Sequence, residues 1–239
     1  MKRLTVSAFL VMALSSLAAP QSNNGTVQNG KCTVPLAKAP ELRGFRLGMS
    51  QERVLARFPG ISLERADEFG RTNVKLTFMS HEDYPGGSAG RDRGVQIDIA
   101  AGTTDGKSFL VDSSRFPELK GLTTIRLRFI DGRMSYLQMG YDDSIAWNDS
   151  DEFARVISKP LGLDGNWQKV DDSDTKEKQL ACDGFLARAG LGGDAGDYHV
   201  GARLSLEDTG GARMIEKRQS DQAEKLKRQD EERRKAFKP

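Results

Sequence analysis

The stretch LTTIRLRFIDGRMSYLQMGY, residues 122–141, decides the fold. Two runs of alternating apolar and polar residues, Leu122–Ile130 and Arg133–Tyr141, flank Asp131-Gly132. Asp-Gly between alternating runs is a strong hairpin signal, because a type I′ turn needs positive φ at both central positions. The predicted register sets Phe129 opposite Met134 and Leu127 opposite Tyr136, on the side of Ile125. Arg126, Arg128 and Arg133 then fall on the other side. The result is an antiparallel sheet with one apolar and one wet face, which calls for a helix to cover the apolar side.

Working outward, Val74, Leu76 and Phe78 alternate with polar residues, as do Val95, Ile97 and Ile99, so both segments read as strands. Before them lies a short helix: Ser50 as N-cap, Met49 packing on Val54 as a staple, Glu52 complementing the helix dipole, and an apolar stripe of Val54, Leu55 and Phe58 ended by Pro59-Gly60. After the hairpin the order recurs. Asp149 caps a helix with Glu152 at N3 and a stripe of Phe153, Val156 and Ile157, which Pro160 ends. Trp167–Val170, Lys178–Cys182, Phe185–Ala189 around Asp183-Gly184, and His199–Leu206 follow as strands. The predicted fold is therefore α+β, with two helix-then-antiparallel-sheet units in one body, residues 42–146 and 147–210. Residues 211–239 read as a charged helical tail, with acid-first pairs four apart such as Asp221/Lys225 and Glu224/Arg228.

The N-terminus reads as an export signal. Lys2 and Arg3 precede an uncharged apolar run from Leu4 to Leu17, and Ser16-Leu17-Ala18 offers small residues for cleavage after Ala18. An h-region this short falls below the ~20 residues a spanning helix needs, so a retained anchor is the weaker alternative. Residues 1–18 are thus a signal peptide, and 19–41, with Pro20, Pro35 and Pro40, a flexible tether. The expected location is secreted or periplasmic. Cys32 and Cys182 fit an oxidising compartment and are expected to form one disulfide, the alternative being two buried thiols.

The chain holds 36 basic and 34 acidic residues, and loss of Lys2 and Arg3 leaves 34 of each. No excess positive field argues for nucleic acid. The balance is uneven, since residues 212–239 hold ten basic and six acidic side chains while the part before them is acidic.

Candidate chemistry is sparse. Gly86-Gly87-Ser88-Ala89-Gly90 matches G-x-S-x-G, and Ser88 followed by His199 has hydrolase chain order. The nucleophile elbow, however, needs a strand before it and a helix after it, whereas Tyr84-Pro85 precedes and a strand follows. His81 and His199 are the two histidines, too few for a zinc site without carboxylates, and Asp171-Asp172-Ser173-Asp174 lacks the glycine and distal glutamate of an EF-hand. No phosphate-binding loop or dinucleotide fingerprint occurs, so neither a metal nor a cofactor is expected. Asn24-Gly25-Thr26 and Asn148-Asp149-Ser150 are glycosylation sequons of use only on a eukaryotic secretory route.

Leu47-Gly48-Met49-Ser50-x-x-x-Val54-x-x-x-Phe58-Pro59-Gly60 resembles the opening helix of the SmpA/OmlA (BamE-like) envelope proteins. The helix-then-sheet unit in tandem is similar to the architecture of the beta-lactamase inhibitor protein. The resemblance covers roughly residues 42–141, with an echo in 147–207, and implies a helix packed on an antiparallel sheet that grips another protein. It carries over no functional residue, and no lipid-attachment cysteine stands at the signal boundary. These observations favour a non-enzymatic, secreted or periplasmic module that binds another envelope or extracellular protein, or assists envelope assembly. Arg126, Arg128 and Arg133, with the 80–94 loop, are the expected contact surface. A small secreted hydrolase using Ser88 and His199 is the alternative.

Overall fold

The computed structural model describes residues 32–58, 60–78, 94–100, 106–112, 115–142, 144–170, 176–192 and 201–237. Its centre is one antiparallel sheet of nine strands: β1 (Arg71–Phe78), β2 (Gly94–Ala100), β3 (Lys107–Asp112), β4 (Leu122–Ile130), β5 (Arg133–Tyr141), β6 (Gln168–Lys169), β7 (Lys176–Ala181), β8 (Phe185–Leu191) and β9 (Ala202–Asp208). They lie in the order β3-β2-β1-β4-β5-β9-β8-β7-β6. Three α-helices accompany it: α1 (Gln51–Leu55), α2 (Ser150–Leu161) and α3 (Thr209–Ala236).

This corrects the expectation of two helix-then-sheet units. The two meanders are joined edge to edge by β5 and β9, where Leu137 pairs with Leu206 and Met139 with Leu204. The match of apolar alternation lets each strand satisfy the backbone edge that the other would otherwise leave open. Helix α1 has five residues, too few to cover a sheet. What covers the apolar face on that side is mostly irregular chain: Phe45, Leu47, Phe58, Phe116 and Leu119 are all buried there. Helix α2 lies over β7 and β8, with Phe153 buried against Trp147 and Tyr141. One cluster of buried side chains runs from Cys32 to Leu206.

The central hairpin follows its sequence. Asp131 and Gly132 both have positive φ, 50° and 75°. Phe129 pairs with Met134 as read, but a bulge follows, so Leu127 pairs with Leu137, and Tyr136 pairs with Arg128 instead of Leu127. Ser135 is the extra residue, its hydroxyl donating to the Arg128 carbonyl at 3.3 Å. The bulge restores alternation: it sends Leu137 and Met139 inward and Tyr136 and Gln138 to the other face.

Two helix starts agree with the sequence, and the stops differ from it. Ser50 and Asp149 cap α1 and α2 by accepting from the Arg53 and Glu152 amides. Pro160 does not end α2, which includes it and stops at Gly162 in the left-handed conformation. Val156 is exposed, and the buried stripe is Phe153 and Ala154.

Cys32 and Cys182 form the disulfide. Residues 34–36 run beside Asp183, exchanging the hydrogen bonds Leu36 N to Asp183 O and Asp183 N to Val34 O. The part of the expected tether from Cys32 to Glu41 is therefore tied to the turn between β7 and β8, with Cys32 and Ala39 buried. The disulfide is consistent with an oxidising compartment. Among the described residues, no helix is long and apolar enough to cross a membrane. Residues 1–18, residues 80–93 of the expected contact loop with His81 and Ser88, Asp171–Asp174 and His199 lie outside the described residues.

Candidate functional site: the open face of the sheet

Alternation gives the nine strands a second face, and register assembles it into cross-strand rows. One row runs Asp98, Lys75, Arg126, Gln138, Ser205, Arg188 across β2, β1, β4, β5, β9 and β8. The next, two residues along each strand, runs Ala100, Asn73, Arg128, Tyr136, Glu207, Leu186. On the other side lie Gln96, Thr77, Thr124, Gly140, Arg203, Gly190. Residues between these rows point inward, as Ile97, Leu76, Ile125, Met139 and Leu204 do.

A groove of about 350 Å³ opens over the first two rows. Its walls carry three cations, Lys75, Arg126 and Arg128, one acid, Asp98, and the polar Asn73, Tyr136 and Gln138. Asp98 accepts from Gln96 Nε2 at 2.9 Å and Ser108 Oγ at 2.6 Å, which engages one of its oxygens from β2 and β3. The Arg128 guanidinium lies 4.9 Å from the centre of the Tyr136 ring, within cation–π range. Tyr136 donates to Gln138 Oε1 at 2.6 Å. Burial pushes the Tyr136 hydroxyl above the ordinary tyrosine value, against the lowering pull of its hydrogen bond with Ser205 and of Arg128. It is therefore a neutral donor throughout the physiological range.

Beyond the groove the face carries acids as well. Glu207 is shared by Arg128 at 3.7 Å and Arg188 at 3.8 Å, both longer than a hydrogen bond. Arg203 stands between Gly140 and Gly190 and reaches Glu177 at 3.5 Å, with both side chains less than one-fifth exposed. A Cβ on Gly190 would stand in ordinary contact with Arg203, 3.5 Å from its Nε, whereas one on Gly140 would come within 2.5 Å of Thr124 Oγ1, so Gly140 makes room for Thr124.

The three arginines expected as one surface do not stay together. Arg126 and Arg128 share the groove, while Arg133 is exposed at the hairpin end and donates to the Gly48 carbonyl at 3.4 Å. Asn73, Lys75, Asp98, Tyr136 and Gln138 were not singled out from sequence. Their alternation with apolar residues was visible, but the pairing of β1 with β4 that collects them is a long-range fact.

Helix α3 borders this face. Its first turns cover Ile130, which has the same strand parity as Arg126 and Arg128, and a Cβ on Gly211 would come within 3.3 Å of Ile130 Cδ1. Arg218 donates to both oxygens of Asp131, at 3.0 and 2.6 Å, and to the Phe69 carbonyl at 2.7 Å, and Gln222 reaches Glu68 at 2.9 Å. From Ala223 to Phe237 every residue is exposed.

Among the described residues no cluster of three His, Cys, Asp or Glu side chains could hold a metal ion. No family model, curated protein or solved structure matches the chain.

Proposed function

We propose that this chain is a secreted or periplasmic, non-enzymatic module that binds another envelope or extracellular protein, or assists envelope assembly, through the open face of its sheet. The observation that carries the reading is the face itself: rows of long polar and charged side chains held in register, with a cation-rich groove at their centre. The groove gathers Lys75, Arg126, Arg128 and the Tyr136 side chain at one place on that face, where a partner's side chains can meet them together. The disulfide is in keeping with export, as is the leader-like sequence of residues 1–18. The resemblance of residues 47–60 to the BamE-like envelope proteins points the same way.

The test is a photo-crosslinking residue placed at Gln138 in the groove and, as control, at the exposed Val156 of α2, in cells that export the full chain. A discrete protein adduct from position 138 and none from 156 is expected. No adduct from 138, or equal adducts from both, would remove the partner surface. Edman sequencing of the exported product is expected to begin after Ala18, and a product found in the cytoplasm with Met1 intact would overturn the location.

A further inference from the structure

We propose that the groove recognises side-chain carboxylates of an extended, acidic segment of the partner polypeptide, with Arg126 and Arg128 as its anchors. This rests on the open face being a partner surface and adds the chemistry of what sits there.

Charge complementarity is the first argument. Among the described residues, Lys75, Arg126 and Arg128 wall the groove against one acid, Asp98. Residues 19–211 as a whole carry 28 acidic and 24 basic side chains. A cationic recess on an acidic body is a local feature, suited to a local anion.

Spacing is the second. Arg126 and Arg128 leave the same face of β4 two residues apart, ~6.6–6.8 Å along the strand. An extended peptide presents alternate side chains at the same interval, so acids at positions i and i+2 would meet both guanidiniums at once. Each guanidinium has five N–H donors in a fork that matches a carboxylate, and the 3.7 Å ion pair of Arg128 with Glu207 is not a bidentate bond. The Tyr136 ring against Arg128 holds that anchor in place, which lowers the ordering cost of binding.

The third argument selects polypeptide over polyphosphate or nucleic acid. Asp98 and Glu207 flank the cations on the same face, and Glu177 lies farther along it. A uniform polyanion crossing the face would meet these acids. A peptide with acids only at alternate positions would not have to.

The probe is a fluorescein-labelled Glu-Ser repeat of ten residues, followed by anisotropy with the full oxidised chain at low and physiological salt. We expect saturable binding that weakens with salt, and a loss of about tenfold or more in the Arg126→Gln, Arg128→Gln double variant. Lys225→Gln with Lys227→Gln, on the exposed part of α3, is expected to leave binding unchanged. Equal loss in both pairs would overturn the site, and displacement by tripolyphosphate at equal charge would overturn the polypeptide assignment. Amide chemical shifts of the unaltered protein provide a readout that needs no variant: Tyr136 and Gln138 should move on titration and residues 223–237 should not, and the reverse pattern sinks the proposal. The two readings fail separately. A crosslink from Gln138 to a partner region without acids overturns this inference and leaves the partner surface intact, whereas no crosslink at all removes both.

Discussion

The two faces of the sheet are made by the same nine strands and differ in almost everything else. On one, Ile97, Leu76, Ile125, Met139 and Leu204 stand side by side in successive strands and are at most 1% exposed. On the other, one pleat away, the equivalent positions are Asp98, Lys75, Arg126, Gln138 and Ser205. The backbone is common to both, so the difference lies in side chains and in what covers them. The apolar face drives folding and takes its cover from irregular chain and α2. The polar face is free to be specialised, because most changes there cost the fold little.

That comparison is broken or kept by truncation. Phe129→Ala on the covered face removes a ring that is 1% exposed and leaves a cavity, at an expected cost of about 3–5 kcal/mol in urea unfolding. Asn73→Ala, half-buried on the open face, is expected to cost no more than about 0.5 kcal/mol. Similar losses at the two sites would mean that the open face is structural and would undercut its assignment to a partner. The disulfide belongs to the covered side, since it ties the N-terminal segment to the β7–β8 turn across 150 residues. Cys32→Ser with Cys182→Ser should lower stability by about 2–5 kcal/mol under oxidising conditions. Unchanged stability would show that burial of Val34, Leu36 and Ala39 holds the segment without the bond.

One position on the open face should behave like the core. Glu177 and Arg203 are less than one-fifth exposed, so Glu177→Gln removes a negative charge from beside a largely buried guanidinium. The expected cost is about 1–3 kcal/mol, well above that of Asn73→Ala. A cost as small as that of Asn73→Ala would mean that water replaces the carboxylate and that this end of the face is as permissive as the groove.

Local signals were legible in the sequence, and long-range ones were not. The β4–β5 hairpin was readable to its end residues because Asp131-Gly132 and period-two alternation speak about adjacent chain. The bulge at Ser135 was not, as an extra residue leaves the composition of a strand unchanged. β3, Lys107–Asp112, is a short mixed run without clean alternation, and the Asp105-Gly106 turn signal directly before it is the mark that could have found it. The union of β5 with β9 had no local mark, and reading repeated element order as two units missed that edges with matching apolar alternation pair. The groove suffers from the same limit: Arg126 and Arg128 could be found from one strand, but Lys75, Asp98 and Tyr136 join them only through the pairing of β1, β2 and β5 with their neighbours.

The smallest effect concerns α3, which meets the open side of the sheet through polar contacts where α2 meets the covered side through Phe153. The hydrogen bonds from Arg218, aided by its charge, hold the Asp131 carboxyl below its ordinary value of 3.8, against the raising effect of burial. A carboxyl depressed in this way adds stability above its unfolded value, and the contribution is lost as pH falls through the lowered native one. Asp131 is half exposed, so the helix contact is screened and global stability should hardly move. Local opening is the sensitive measure. Asp131→Asn, or a pH drop from 6 to below the lowered native value, should reduce the protection of Thr209–Gln222, measured against the intrinsic exchange rate at each pH, and leave β4 and β5 protected. Residues 223–237 should exchange fast in every state, having no such contact to lose. If Thr209–Gln222 stays protected in Asp131→Asn, the close packing of Gly211 on Ile130 and Ser135 is what docks the helix, and α3 then resembles α2 more than its charge suggests.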